Sequence, residues 1–114
     1  MKIQFAVIAL ITGCASYPAP TDHLASAIAA TRGAQEAGAP RVPQAALQLK
    51  LAQEGVEQAR AMIANGENER ADFMTLRAYN DAELALAIAR ESAARKRADA
   101  ANAMASSPET NGVR

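Results

Sequence analysis

The stretch that decides the fold is AALQLKLAQEGVEQARAMIANGENERADFMTLRAYNDAELALAIAR, residues 45–90. In its first half, small and apolar residues fall at Ala45, Leu49, Ala52, Val56, Ala59 and Ile63. That spacing alternates four and three, which puts all six on one helical face. Leu47, Leu51, Gly55 and Met62 form a second, weaker stripe at the side. Past Asn65-Gly66 the spacing resumes at Ala71, Met74, Ala78, Ala82, Ala85 and Ala89, with Phe73, Leu76, Leu84 and Ala87 roughly opposite. Gly66 suits the left-handed position beyond a helix end, and Asn65 tolerates such geometry too. Glu67, Glu69 and Asp72 then place negative charge in the first turn of the next helix, where the backbone dipole favours it. A calcium loop would alternate oxygen ligands around a central glycine, and this cluster does not. It reads as helix-start chemistry. The segment predicts two antiparallel helices joined by a tight turn, each with a second apolar side that needs other cover.

Working outward, Thr21 or Asp22 offers an N-cap for a first helix whose face carries Leu24, Ala27, Ile28 and Thr31. Ala37-Gly38-Ala39-Pro40 ends it, because glycine and a following proline are stop signals. Pro43 suits the first position of helix two. At 1.5 Å per residue, helix two spans roughly 31 Å and a third helix from Glu67 to Ala105 roughly 58 Å. The expected fold is all-α: a short first helix, then a long antiparallel hairpin whose third helix extends beyond its partner. From Arg90 onward that helix has no neighbour from helix two. Glu91, Arg95 and Asp99 follow at i, i+4, which supports a solvated helix. Arg95-Lys96-Arg97 reads as part of an exposed charged face, the alternative being contact with anionic lipopolysaccharide or cell-wall material. Residues 106–114, with Pro108, Asn111 and Gly112, read as a disordered tail.

Composition narrows the functional classes. Thirty of the 114 residues are alanine, four are aromatic and none is tryptophan. Alanine favours helix strongly but buries little apolar area, so the core should be thin and the helices close. The 12 basic and 12 acidic residues balance, which leaves no electrostatic footprint for nucleic acid. No stretch reaches the roughly 18–20 apolar residues of a membrane-spanning helix.

Residues 1–13 carry Lys2 and then a mostly apolar run from Ile3 to Ile11, which fits a signal-peptide core. The run ends in Ile11-Thr12-Gly13-Cys14, which resembles the lipobox of bacterial lipoproteins: an aliphatic residue, two small ones and the cysteine that takes the lipid. Cys14 is the chain's one cysteine and has no disulfide partner within it. It is therefore expected to be acylated and to anchor the protein to a membrane. Ala15 stands where inner-membrane lipoproteins often carry aspartate, so the resemblance implies the periplasmic side of the outer membrane. Residues 14–21, with Pro18 and Pro20, read as an extended tether, and residues 22–105 as the helical domain. His23 is the single histidine, and no partner is spaced for it in the sequence. No catalytic, cofactor-binding or metal-ligating set is expected.

Several segments together resemble the DUF4398 family of small bacterial lipoproteins. They are Ala46-Leu47-Gln48-Leu49-Lys50-Leu51-Ala52, then Ile63-Ala64-Asn65-Gly66-Glu67-Asn68-Glu69-Arg70-Ala71-Asp72, then Asp81-Ala82-Glu83-Leu84-Ala85-Leu86-Ala87. The break at Ala37–Pro40 fits the same pattern, and the resemblance runs from Leu24 to about Arg97. It implies a helical cell-envelope lipoprotein of unassigned function, sometimes fused ahead of peptidoglycan-binding domains. Ala59, Gly66, Ala71 and Ala78 are also similar to the small positions of a single tetratricopeptide hairpin, which likewise implies close-packed antiparallel helices.

Two functional classes follow. The leading one is a non-catalytic scaffold or adaptor of the cell envelope, contacting a protein partner or a second copy through the third helix. The other is a structural wall tether like the small murein lipoprotein. That class resembles one continuous heptad helix ending in a lysine, whereas this chain is broken by prolines and ends in Arg114. An enzyme is not expected, because no nucleophile–base pair or phosphate-binding loop can be read.

Overall fold

The computed structural model describes residues 16–107, which form three helices and one short 3₁₀ turn. Helix α1 is Thr21–Glu36, the 3₁₀ turn is Ala39–Arg41, α2 is Pro43–Ala64 and α3 is Asn68–Ser106. The all-α expectation holds, with α3 at 39 residues against 22 for α2. Cys14 and the signal-peptide segment lie outside the described residues, as does the tail from Pro108 on.

The breaks arise where backbone chemistry requires them. Gly38 ends α1 at φ 89° and Gly66 ends α2 at φ 77°, both in the left-handed region. At the second break the Glu67 N–H donates to the Met62 carbonyl (2.9 Å) and the Gly66 N–H to that of Ile63 (3.0 Å). This paired closure satisfies carbonyls that the helix end leaves orphaned. Asn65 stays right-handed, so glycine alone carries the reversal. Pro43 begins α2, where its missing N–H costs nothing.

Two expectations about helix starts are corrected. Neither Thr21 nor Asp22 caps α1: the helix begins at Thr21, and the buried Pro20 sits at the cap position with its carbonyl accepting from Leu24 N–H at 2.9 Å. Asp72 is not in the first turn of α3. That helix starts at Asn68, so Asp72 is its fifth residue and its carboxylate is free for tertiary contacts.

The seam between α2 and α3 is built almost wholly of small residues. Ala45, Leu49, Ala52, Gly55, Val56 and Ala59 are buried from α2, and Ala71, Thr75, Ala78, Ala82, Ala85 and Ala89 from α3. The α3 stripe differs from the expected one at a single place. Thr75 is fully buried and Met74 only half-buried, because the strict four-three alternation continues through 75. Thr75 enters the core without an orphaned hydroxyl, since its Oγ1 donates to the Asp72 carbonyl at 2.7 Å. Ile63, the last residue of the expected α2 stripe, is half-buried beside the turn. Gly55 belongs to the seam rather than the side stripe. A Cβ placed there would sit 2.9 Å from that of Ala78.

Helix α1 lies along the α2–α3 pair, mainly against α3, and buries Ala27, Thr31 and Ala34. Two clusters result. Ala27, Val56 and Ala78 pack with Leu24 and Ile28 near the start of α1. At the other end Ala34, Ala39, Ala45, Leu49, Ala85 and Ala89 pack with Val42, Leu86 and Ile88. The second cluster brings the 3₁₀ turn against α3, and Ser92 and Ala93 are half-buried there. Cover on α3 therefore extends just past Arg90, and every residue from Ala94 to Ser107 is exposed. Leu47, Phe73, Leu76 and Leu84 remain exposed, so α1 does not cover the secondary stripes.

Candidate functional site

In this up–down–up arrangement, α1 and α3 both start at the pole that carries the α2–α3 turn. Three polar contacts there join segments about 50 residues apart. The Tyr17 hydroxyl donates to Asp72 Oδ2 at 2.5 Å. His23 Nδ1 pairs with the other carboxylate oxygen, Oδ1. Asn68 Nδ2 donates to the Tyr17 carbonyl at 2.8 Å. The segment before α1 is therefore clasped to the first turns of α3 and is not a free tether.

Each side chain is placed by a simple feature. Asp72 follows the buried Ala71 and precedes the buried Thr75, which turns its carboxylate toward α1. His23 is the third residue of α1, one turn ahead of the buried Ala27. The Asp72 side chain is 23% exposed and that of His23 is 68% exposed, so the pair lies at the rim. Asn68 Oδ1 is buried and accepts no hydrogen bond among the described residues.

The electrostatics reinforce the clasp. Hydrogen bonds from Tyr17 and His23, then the charge of His23, hold the Asp72 carboxyl below its ordinary range. The same hydrogen bond and the carboxylate charge raise His23 above its ordinary 6.5. Tyr17 is raised because its proton is shared with a carboxylate.

Beside the clasp is an open cleft of about 290 Å³ lined by His23, Ser26, Asp72, Thr75, Leu76 and Tyr79. A histidine–carboxylate pair beside hydroxyls invites comparison with nucleophilic catalysis. The two aliphatic hydroxyls, however, are otherwise engaged. Ser26 Oγ donates to the Asp22 carbonyl at 3.0 Å, and Thr75 Oγ1 donates as described. The arrangement fastens chain segments together. No group of three or more metal-ligating side chains occurs among the described residues.

From sequence, His23 has no partner spaced for it and Asp72 belongs to helix-start charge. The structure brings the two together across 49 positions. One signal pointed to this: in a three-helix up–down–up bundle, the first turns of α1 and α3 must share a pole. Cys14, the one site residue expected from sequence, lies outside the described residues, three positions before Tyr17.

The family model described as "Domain of unknown function (DUF4398)" matches residues 22–101, which is most of the chain. The chain belongs to the DUF4398 family. The match starts with α1 and includes much of the exposed end of α3. No curated protein and no solved structure matches the chain.

Proposed function

We propose that this DUF4398 protein is a lipid-anchored lipoprotein on the periplasmic side of the outer membrane, acting as a non-catalytic scaffold or adaptor. The observation that carries the reading is Ile11-Thr12-Gly13-Cys14, a lipobox-like run at the end of a short apolar leader. The clasp supports it, because a chain gripped at Tyr17 would link an acylated Cys14 to a defined end of the bundle. In this reading the anchor and the exposed end of α3 lie at opposite poles. The second supporting feature is that exposed end. Ala94–Ser106 is a helix with no partner among the described residues, alanine-rich enough for close approach by another chain. It serves as the contact surface for a protein partner or a second copy.

Radiolabelled palmitate tests the anchor. Wild-type protein expressed in a Gram-negative host incorporates label and floats with membranes, whereas Cys14→Ser does neither. Equal labelling of the two would overturn the assignment.

A further inference from the structure

The pole that holds the clasp also carries an uncovered apolar face. Phe73 is 69% exposed and Leu76 57% exposed, on the side of α3 turned away from the seam. Tyr17, also exposed, is bonded beside them to Asp72. Phe73 and Leu76 are adjacent on this face, whereas the exposed Leu47, Leu84 and Met104 lie further from this pole. Further along the same side of α3 come Asn80, Leu84, Ala87 and Glu91, so large apolar groups thin out and charge appears.

The length of chain leading to this pole indicates what covers the face. Tyr17 is three positions after Cys14, and three extended residue steps span at most about 11 Å. Tyr17 is fixed to Asn68 and Asp72, and Phe73 is the next residue of α3. A lipid on Cys14 therefore brings a bilayer surface to the immediate neighbourhood of Phe73 and Leu76. Electrostatics select the type of contact. Asp22, Glu57, Glu67, Glu69 and Asp72 are set against Arg60, Arg70, Arg77 and His23 at this end, so there is no positive excess to attract anionic headgroups and the contact is apolar. Aromatic side chains suit the headgroup boundary, where one part of the group is dry and another wet.

We propose that Phe73 and Leu76, with Tyr17 beside them, seat in the headgroup region of the membrane carrying the acylated Cys14. This rests on the lipoprotein reading above. The bundle is then docked at one pole, and α3 leads its exposed end away from the lipid.

The absence of tryptophan provides a clean test. Phe73→Trp and Ala101→Trp place single reporters at the docked pole and on the far end of α3, both at exposed positions. The full acylated chain is purified and reconstituted into phosphatidylethanolamine vesicles whose acyl chains carry bromine near the headgroup. Emission of Phe73→Trp is expected to be strongly quenched and shifted to shorter wavelength, with Ala101→Trp unquenched. Acylated protein that floats with the vesicles yet shows equal emission at both positions overturns the docking alone. Absence of acyl mass on Cys14 overturns the anchor and the docking with it. A concentration-dependent blue shift of Phe73→Trp without vesicles assigns the face to a second copy and overturns the lipid contact.

Discussion

At the residue scale, Asp72, Gly55 and Gly33 make separable predictions. Asp72 holds Tyr17 and His23 at once, and the sign of its pH effect follows from the directions of the two shifts. Asp72 is lowered, so its contribution is present above its ordinary value of 3.8 and is lost as pH falls through the depressed one. His23 is raised, so its contribution is full below 6.5 and is lost as pH rises through the elevated value. The clasp is therefore tightest at mildly acidic pH. As the only histidine, His23 gives one imidazole titration by NMR, with a midpoint above 6.5 that Asp72→Asn lowers. An unchanged midpoint in the variant would show that the pair does not form in solution. The glycines predict opposite signs for one chemical change. Gly33 lies within α1 with nothing near its missing Cβ, so Gly33→Ala gains about 0.5–1 kcal/mol of stability. At Gly55 the added carbon meets the rigid Ala78 Cβ at 2.9 Å, and spreading the seam outweighs the propensity gain. Gly55→Ala should lower the denaturation midpoint, and an increase there would show that the helices sit further apart.

At the element scale, the α2–α3 seam is an alanine ladder that tolerates little added volume. Ala71 and Ala78 are both fully buried, so leucine at either should cost about 1–3 kcal/mol. For a domain of this size that corresponds to several degrees in melting temperature. Ala87→Leu, on the exposed side of α3, should leave the melt almost unchanged. Matching melts for all three variants would refute the register. That register was largely legible in the sequence, because the four-three spacing names the buried alanines and Gly66 marks the turn without reference to tertiary contacts. Size and hydropathy favour Met74 over Thr75 at this position. What decides the position is helical phase, together with a hydroxyl that bonds to its own helix. Gly55 read as a side-stripe residue because the closeness of two backbones is a property of the pair. The His23–Asp72 contact required the rotation of α1 against α3, and periodicity within one helix does not contain it.

For the whole molecule, the consequence of a thin core is an unequal distribution of stability along α3. Ala71 to Ala89 is locked into the bundle, and Ser92 and Ala93 are half-covered by the 3₁₀ turn. Ala94–Ser106 has only local support. The Arg95–Glu91 pair at 2.5 Å lies at its base, and exposed i, i+4 pairs contribute a few tenths of a kcal/mol each. Isolated helices shorter than about 12–15 residues are marginal in water, so this end frays unless something binds it. Hydrogen exchange on the dilute, unacylated chain should therefore show slow amides across Ala78–Ala89 and fast ones from Ala94 on. Protection of the fast group that rises with concentration, with a matching increase in sedimenting mass, would assign the surface to a second copy. Protection that appears only with an envelope fraction, and persists on a purified component of it, would assign it to an outside partner. Fast exchange under all these conditions would make the end of α3 a passive spacer and remove the adaptor reading. The anchor at Cys14 would stand, because it depends on the opposite pole.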